Sequence, residues 1–169
     1  AKAVSSADAS LTSLCCGSNP GMVGELDQWG ARVKTPDVHI EALQQLLDAL
    51  KPSAVTDLDI SGIGIGPASA GRVADYVRDA KGSIATINIS QSKIGVEGGQ
   101  VIVEALKTTT LESIVIGNDL TLQLKGELES DSFDASGQSI DPGYAMIMAW
   151  WLTTPVTTSL TKVVITGAK

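Results

Sequence analysis

Residues 55–67, VTDLDISGIGIGP, carry an apolar alternation (Val55, Leu58, Ile60) into three glycines, Gly62, Gly64 and Gly66, and then into a helical pattern. Two readings compete. The stretch is either a glycine-rich loop that cradles phosphates or the turn between strand and helix in a repeated unit. The choice decides whether the chain is searched for a catalyst or for a binding surface.

The rest of the chain favours the repeat. Shifted by 29 positions, residues 55–78 (VTDLDISGIGIGPASAGRVADYVR) lie on 84–107 (IATINISQSKIGVEGGQVIVEALK) without a gap. Leu58 falls on Ile87, Ile60 on Ile89, Ile65 on Ile94 and Gly66 on Gly95, while the helical Val73 and Val77 fall on Ile102 and Leu106. Each unit reads as a strand, a turn and a helix. The joins ALKPSAV (49–55) and ALKTTTL (105–111) also match, and the second delivers a third strand, LESIVIG (111–117). A fourth, LTKVVITG (160–167), follows an irregular insertion and turn over 118–142. Within that region LTLQLKGEL (120–128) reads as a hairpin or extra edge strand. Residues 134–152 (DASGQSIDPGYAMIMAWWL) echo 59–77 at an offset of 75.

These residues resemble a known family. The pattern LxxLDLSxxxIGxxGxxxLAxAL characterises leucine-rich repeats of the ribonuclease-inhibitor type, and IGVEGGQVIVEAL (94–106) after the strand TINIS (86–90) is similar to it. The resemblance spans roughly 40–167, with strand leucines replaced by Ile and Val. The insertion and the AWWL helix (149–152) are similar to repeat proteins of algal and other protist origin. The resemblance implies an α/β fold. It is a short leucine-rich-repeat solenoid with parallel strands on the concave side, helices on the convex side and about four strand-bearing units, the third carrying an insertion. It also implies a non-catalytic protein that binds other proteins.

The residues support the same picture physically. A single unit cannot bury its apolar face, so neighbours must stack. Inward positions would form the columns Val55/Ile84/Leu111/Leu160, Leu58/Ile87/Ile114/Val163 and Ile60/Ile89/Ile116/Ile165. The alternate positions then face outward. Candidate protein contacts on that face are Asp57, Asp59, Thr86, Asn88, Ser113, Val115, Lys162 and Val164. Val115 and Val164 would join in an apolar patch if the third and fourth strands were neighbours.

Two further candidates lie off the sheet. Trp150 and Trp151 are adjacent on one helix, so their side chains diverge by about 100°. One is expected in the core and the other at the rim, where an exposed Trp anchors contacts.

The remaining chain divides simply. Residues 1–34 lack helical or strand periodicity and read as an extended or loosely ordered arm, ahead of a repeat domain over 35–169. A capping helix is expected over 35–51, with Thr35 as its N-cap, Pro36 at its first position, and Val38, Leu43, Leu46, Leu47 and Leu50 on its apolar face. A solenoid end normally needs a cover. The last strand motif shows none, so a partner is expected there and the chain reads as a docking or accessory subunit of a larger assembly. Ala1 in place of Met reads as the start of a mature chain. An intracellular place is favoured, and the algal resemblance implies an organellar, even photosynthetic, complex.

Other chemistry is thin. A dinucleotide fingerprint requires G-x-G-x-x-G, and its third glycine is here Pro67, which lacks an amide donor. At the equivalent turn Gly62 becomes Gln91 and Gly64 becomes Lys93, so the extra glycines read as permitted variation. His39 is the single histidine, and the acidic residues of 127–134 do not follow a calcium-loop pattern. Cys15 and Cys16 are neighbours, too few for zinc and strained as a disulfide. No catalytic residue, cofactor or metal is expected. A net charge of -7 without a Lys or Arg cluster argues against nucleic acid. No apolar run reaches the ~18 residues of a membrane span.

Overall fold

A computed structural model describes residues 11–80 and 83–167. Its main sheet has the order β1 (Ser13–Cys15), β4 (Asp57–Asp59), β5 (Thr86–Asn88), β6 (Ser113–Ile116) and β7 (Leu120–Gln123). The first four strands run parallel, and β7 folds back antiparallel on β6. Parallel neighbours require crossovers. The crossovers contain α1 (Ile40–Leu50), α2 (Pro67–Asp79) and α3 (Gly95–Leu106).

The repeat offset is the physical register. Leu58 pairs with Ile87, and Ile87 with Ile114, matching the offsets of 29 and 27 read in the sequence. These side chains, with Leu122 of β7, form a buried row continued by Leu14 at the β1 edge. The helices pack on one another in chain order, and one continuous core lies between them and the sheet.

The third helix contact is unusually close. A Cβ on Gly99 would lie 2.6 Å from the Gly143 Cα, and one on Gly143 would overlap the Gly95 carbonyl oxygen and the Ile94 side chain. Bare backbone at both positions lets α4 (Pro142–Trp151) settle against α3. Asp141 fixes this corner: one carboxylate oxygen accepts from the Tyr144 amide at 2.9 Å, the other from the Gly95 amide at 2.8 Å. It therefore caps its own helix and the start of the neighbouring one.

Four expectations change. First, described residues 11–34 are ordered by the sheet and its turns. β1 pairs with β4, and Cys16, Ser18 and Val23 donate to the carbonyls of Asp59, Ser61 and Ile63 at 2.8–2.9 Å. This segment also forms the short hairpin β2 (Glu25–Leu26) and β3 (Val33–Thr35). Residues 1–10 of the expected arm lie outside the described residues.

Second, the capping helix starts at Ile40, and Thr35 does not cap it. Thr35 pairs with Glu25 in the hairpin, and the chain then turns through Asp37, whose φ is 64°. Leu43, Leu47 and Leu50 are buried as expected, whereas Val38 precedes the helix and is exposed.

Third, the fourth repeat strand is absent from the main sheet. β9 (Lys162–Val164) pairs in parallel with β8 (Ser132–Asp134) in a separate two-stranded sheet. The insertion explains this, because β7 satisfies the open ladder of β6 that β9 would otherwise have joined. Four parallel strands do stand in one sheet, but the fourth member is β1.

Fourth, Gly64 and Gly66 are required by packing, whereas a Cβ on Gly62 would meet only the Gln91 side chain and the Ser18 Cα at 3.3 Å or more. The N-terminal segment crosses directly over this turn. A Cβ on Gly64, whose φ is +97°, would overlap the Gly24 backbone, and one on Gly66 would come within 2.6 Å of the Asp37 carboxylate. At the matching place of the second unit Gln91 itself takes a φ of 56°, so this turn accommodates a side chain at the Gly62 position.

Candidate interaction surfaces

The same crossing answers the phosphate question. The Asp37 carboxylate accepts from the amides of Gly66 (2.9 Å), Ala68 (2.9 Å) and Ser69 (3.1 Å) at the start of α2. Those amides are where a helix would hold a phosphate. An internal carboxylate fills that place.

Two surfaces and two tryptophans outside the core remain for partners. On the first, the open face of the main sheet, the ladder aligns Ser13, Asp57, Thr86, Ser113 and Gln123 in one row, and Cys15, Asp59, Asn88, Val115 and Thr121 in the next. Six of the sequence candidates thus come together. Asp57 is exposed, and Asp59, Thr86, Asn88 and Ser113 are half-buried. Thr86 and Ser113 share a hydroxyl hydrogen bond of 3.1 Å.

Part of this row has local work. Asp59 accepts from the Ser61 amide at 2.9 Å, Asn88 from the Ser90 amide at 3.0 Å, and Asp134 from the Ser136 amide at 2.8 Å. Each closes an Asx-turn at the end of its strand. The Ser136 hydroxyl and amide hold the Asp134 carboxyl below the usual carboxylate range. Beside Asp59, the Cys15 thiol donates to its second oxygen at 3.5 Å. Burial, then the neighbouring Cys15 and Asp59, push the Cys16 thiol up, so it is a poorer nucleophile than an ordinary cysteine.

Val115 and Val164 do not form a shared patch. Val115 is only 8% exposed and lies between Asn88 and Thr121, while Val164 pairs with Asp134 in the other sheet.

The second surface is at β9. Val163 and Ile165 continue the core columns in sequence, yet they are 40% and 51% exposed, and Leu152 at the end of α4 is 38% exposed. The edge of β9 away from β8 has no strand partner among the described residues. Lys162 is exposed here and Val164 half-buried.

The tryptophans divide as their spacing requires. Trp151 is buried, its ring 4.6 Å from Phe133 and its Nε1 donating to the Gln123 carbonyl at 2.7 Å, which ties α4 to β7. Trp150 is half-buried at the rim. Tyr144 beneath them accepts from the Ser92 amide at 3.0 Å and donates to the Ile89 carbonyl; burial pushes its hydroxyl pKa up.

The most exposed aromatic was not singled out by spacing. Trp29, 78% exposed, stands on the β2–β3 turn. The Asp27 carboxylate accepts from the Ala31 (2.9 Å) and Trp29 (3.2 Å) amides, and Gly30 takes a φ of +67°. Those amides, the Ala31 one foremost, hold the Asp27 carboxyl below its usual range. The Asp-x-x-Gly spacing in LDQWGAR (26–32) is a turn signal that could have located it.

Among the described residues no group of His, Cys, Asp and Glu could hold a metal ion. No helix among them is long and apolar enough to cross a membrane.

No family model matches the chain, and no curated protein matches it. Among solved structures it is similar to leiomodin-1 actin-binding site 2, at 18% identity and a TM-score of 0.49, over 87% of this chain and 72% of that one. A likeness of that depth carries no argument about partners.

Proposed function

We propose that the chain is a non-catalytic protein-interaction module, a docking or accessory part of a larger assembly, built on leucine-rich repeats of the ribonuclease-inhibitor type. The repeat reading is supported by strand pairing at the sequence offsets of 29 and 27. The interaction reading is carried by one observation: Val163 and Ile165 are exposed on and just after β9, whose outer edge has no strand partner among the described residues. Covering apolar surface is worth roughly 25 cal/mol per Å². An unpaired edge adds hydrogen-bonding groups that a partner strand can satisfy.

The experiment is isolation of the protein from its native source, with and without Val163→Glu and Ile165→Glu. Partners should accompany the native sequence and be lost with the double variant. Partners retained in full would remove β9 as the docking surface. A purified chain that is monomeric, fully ordered and stable would count against the assembly as a whole.

A second reading places a peptide on the open sheet face, favoured by the two polar rows that the ladder brings into register. Alanine at Asp57, Asp59 and Asn88 would then abolish binding while leaving β9-mediated association intact.

A further inference from the structure

A trough runs over the loops at the C-terminal ends of β4 and β5. Its first hollow, of about 460 Å³, has a largely aliphatic lining that includes Pro20, Val33, Pro36 and Ile65. The hairpin forms one wall and the two repeat turns the other. A second hollow, of about 590 Å³, shares Gln91, Ser92 and Lys93 with the first and continues past Asn118 to Ile140 and Pro142. The pair makes an elongated groove rather than a closed pocket, and a single small ion would leave most of it empty.

Charge in the first hollow runs against that of the whole chain. The net charge is -7, yet among the described residues the charged ones lining this hollow are Arg32, from the hairpin, and Lys93, from the turn before α3. Neither forms an ion pair among the described residues. Three carboxylates of the surrounding turns accept amide hydrogen bonds: Asp27 within its own turn, where it also lies in electrostatic reach of Arg32, Asp37 at the start of α2, and Asp141 in the second hollow from Gly95 and Tyr144. Both cations are exposed, and a cleft lined by one sign of charge draws the opposite sign, so carboxylates are favoured there. Trp29, three residues before Arg32 on the same turn, is 78% exposed and offers an aromatic contact beside the hollow.

We propose that this trough binds an extended acidic–aliphatic segment of a partner protein, its carboxylates on Arg32 and Lys93, its aliphatic side chains on the lining of the hollows, and Trp29 over one end. The site is separate from β9 and from the open sheet face. It rests on the interaction reading only in taking the partner to be a protein.

The probe is a fluorescein-labelled decapeptide of alternating Leu and Glu, titrated with the whole chain and followed by anisotropy. Saturable binding is expected, weakened by salt. Arg32→Glu with Lys93→Glu should weaken it at least about tenfold, and the conservative R32K/K93R pair should retain it within about threefold. A Leu–Lys peptide should not bind. Equal affinity in the charge-reversed variant, or equal binding of the Leu–Lys peptide, would overturn the proposal. So would full displacement by millimolar inorganic phosphate combined with no effect of Ile140→Glu, which would reduce the trough to a small-anion site. The V163E/I165E variant should bind the peptide unchanged, so loss of the β9 docking surface and loss of this one are read separately.

Discussion

Two strands of the same sequence type meet different fates. In and just after β5, Ile87 and Ile89 are buried, with β4 and β6 on either side of the strand. In and just after β9, Val163 and Ile165 occupy the matching positions of the repeat and are half exposed. The alternation of a repeat decides which way a side chain points. Its neighbours decide whether that direction is inside. β5 has a strand on both edges and helices of its own and the preceding unit behind it; among the described residues β9 pairs only with β8.

The contrast can be tested most strongly at its centre. Ile87→Ala removes a fully buried side chain from the middle of the sheet and should cost about 4 kcal/mol. Val163→Ala should cost about 0.5 kcal/mol or less, because water already reaches that side chain. Urea titration of both variants measures the difference. Equal losses would mean that β9 is covered in solution.

A smaller effect is expected where helices touch. Gly143→Ala places a methyl against the Gly95 carbonyl and Ile94, and separation of α3 from α4 should cost about 2 kcal/mol. Gly71, with nothing within 4 Å of its would-be Cβ, is the control, and alanine there should be neutral or stabilising. Thermal melts of the two variants side by side decide whether the close approach is real.

Next comes the crossing of the N-terminal segment. Asp37→Ala should lose about 1–2 kcal/mol, the cost of a helix cap that serves three amides. The loss should be accompanied by faster amide exchange at Gly66, Ala68 and Ser69. If exchange there is unchanged, the segment does not cap α2.

The smallest effect concerns the Trp29 turn. The Asp27 carboxyl has a lowered pKa in the folded chain, so its contribution is present above the ordinary carboxylate pKa and disappears as pH falls through the lowered one. Trp29 anisotropy, taken as the difference from a W29F variant, should fall on acidification in that window. Asp27→Asn should remove most of that pH dependence. A flat profile in the parent chain would show that the tip does not depend on Asp27.

Much of this architecture was legible in the sequence. The 29-residue offset between 55–78 and 84–107 became strand register, because parallel strands joined by equal crossovers place equivalent residues side by side. Adjacency of Trp150 and Trp151 foretold one buried ring and one at the rim, since successive helical residues diverge by about 100°. The surfaces were less legible. Lys93 lies 61 positions beyond Arg32 and shares no period with the Trp29–Arg32 turn. Val115 read as exposed because strand alternation says nothing of what lies over a face.

The sequence by itself determined the repeating unit, the facing of its strand residues and the absence of a complete nucleotide fingerprint, because all three depend on local spacing. Only the tertiary structure decided which strand stands beside which: β1 took one edge of the sheet, β7 the other, and β9 went to β8. Pairing at an edge is a competition among all strands that can reach it, and spacing within one strand does not record the outcome. The glycines of GIGIG (62–66) show both limits. Their place after a strand marked a turn. The need for two of them, Gly64 and Gly66, appeared only when Gly24, Pro36 and Asp37 were seen pressed against that turn from a segment about 30–40 residues earlier in the chain.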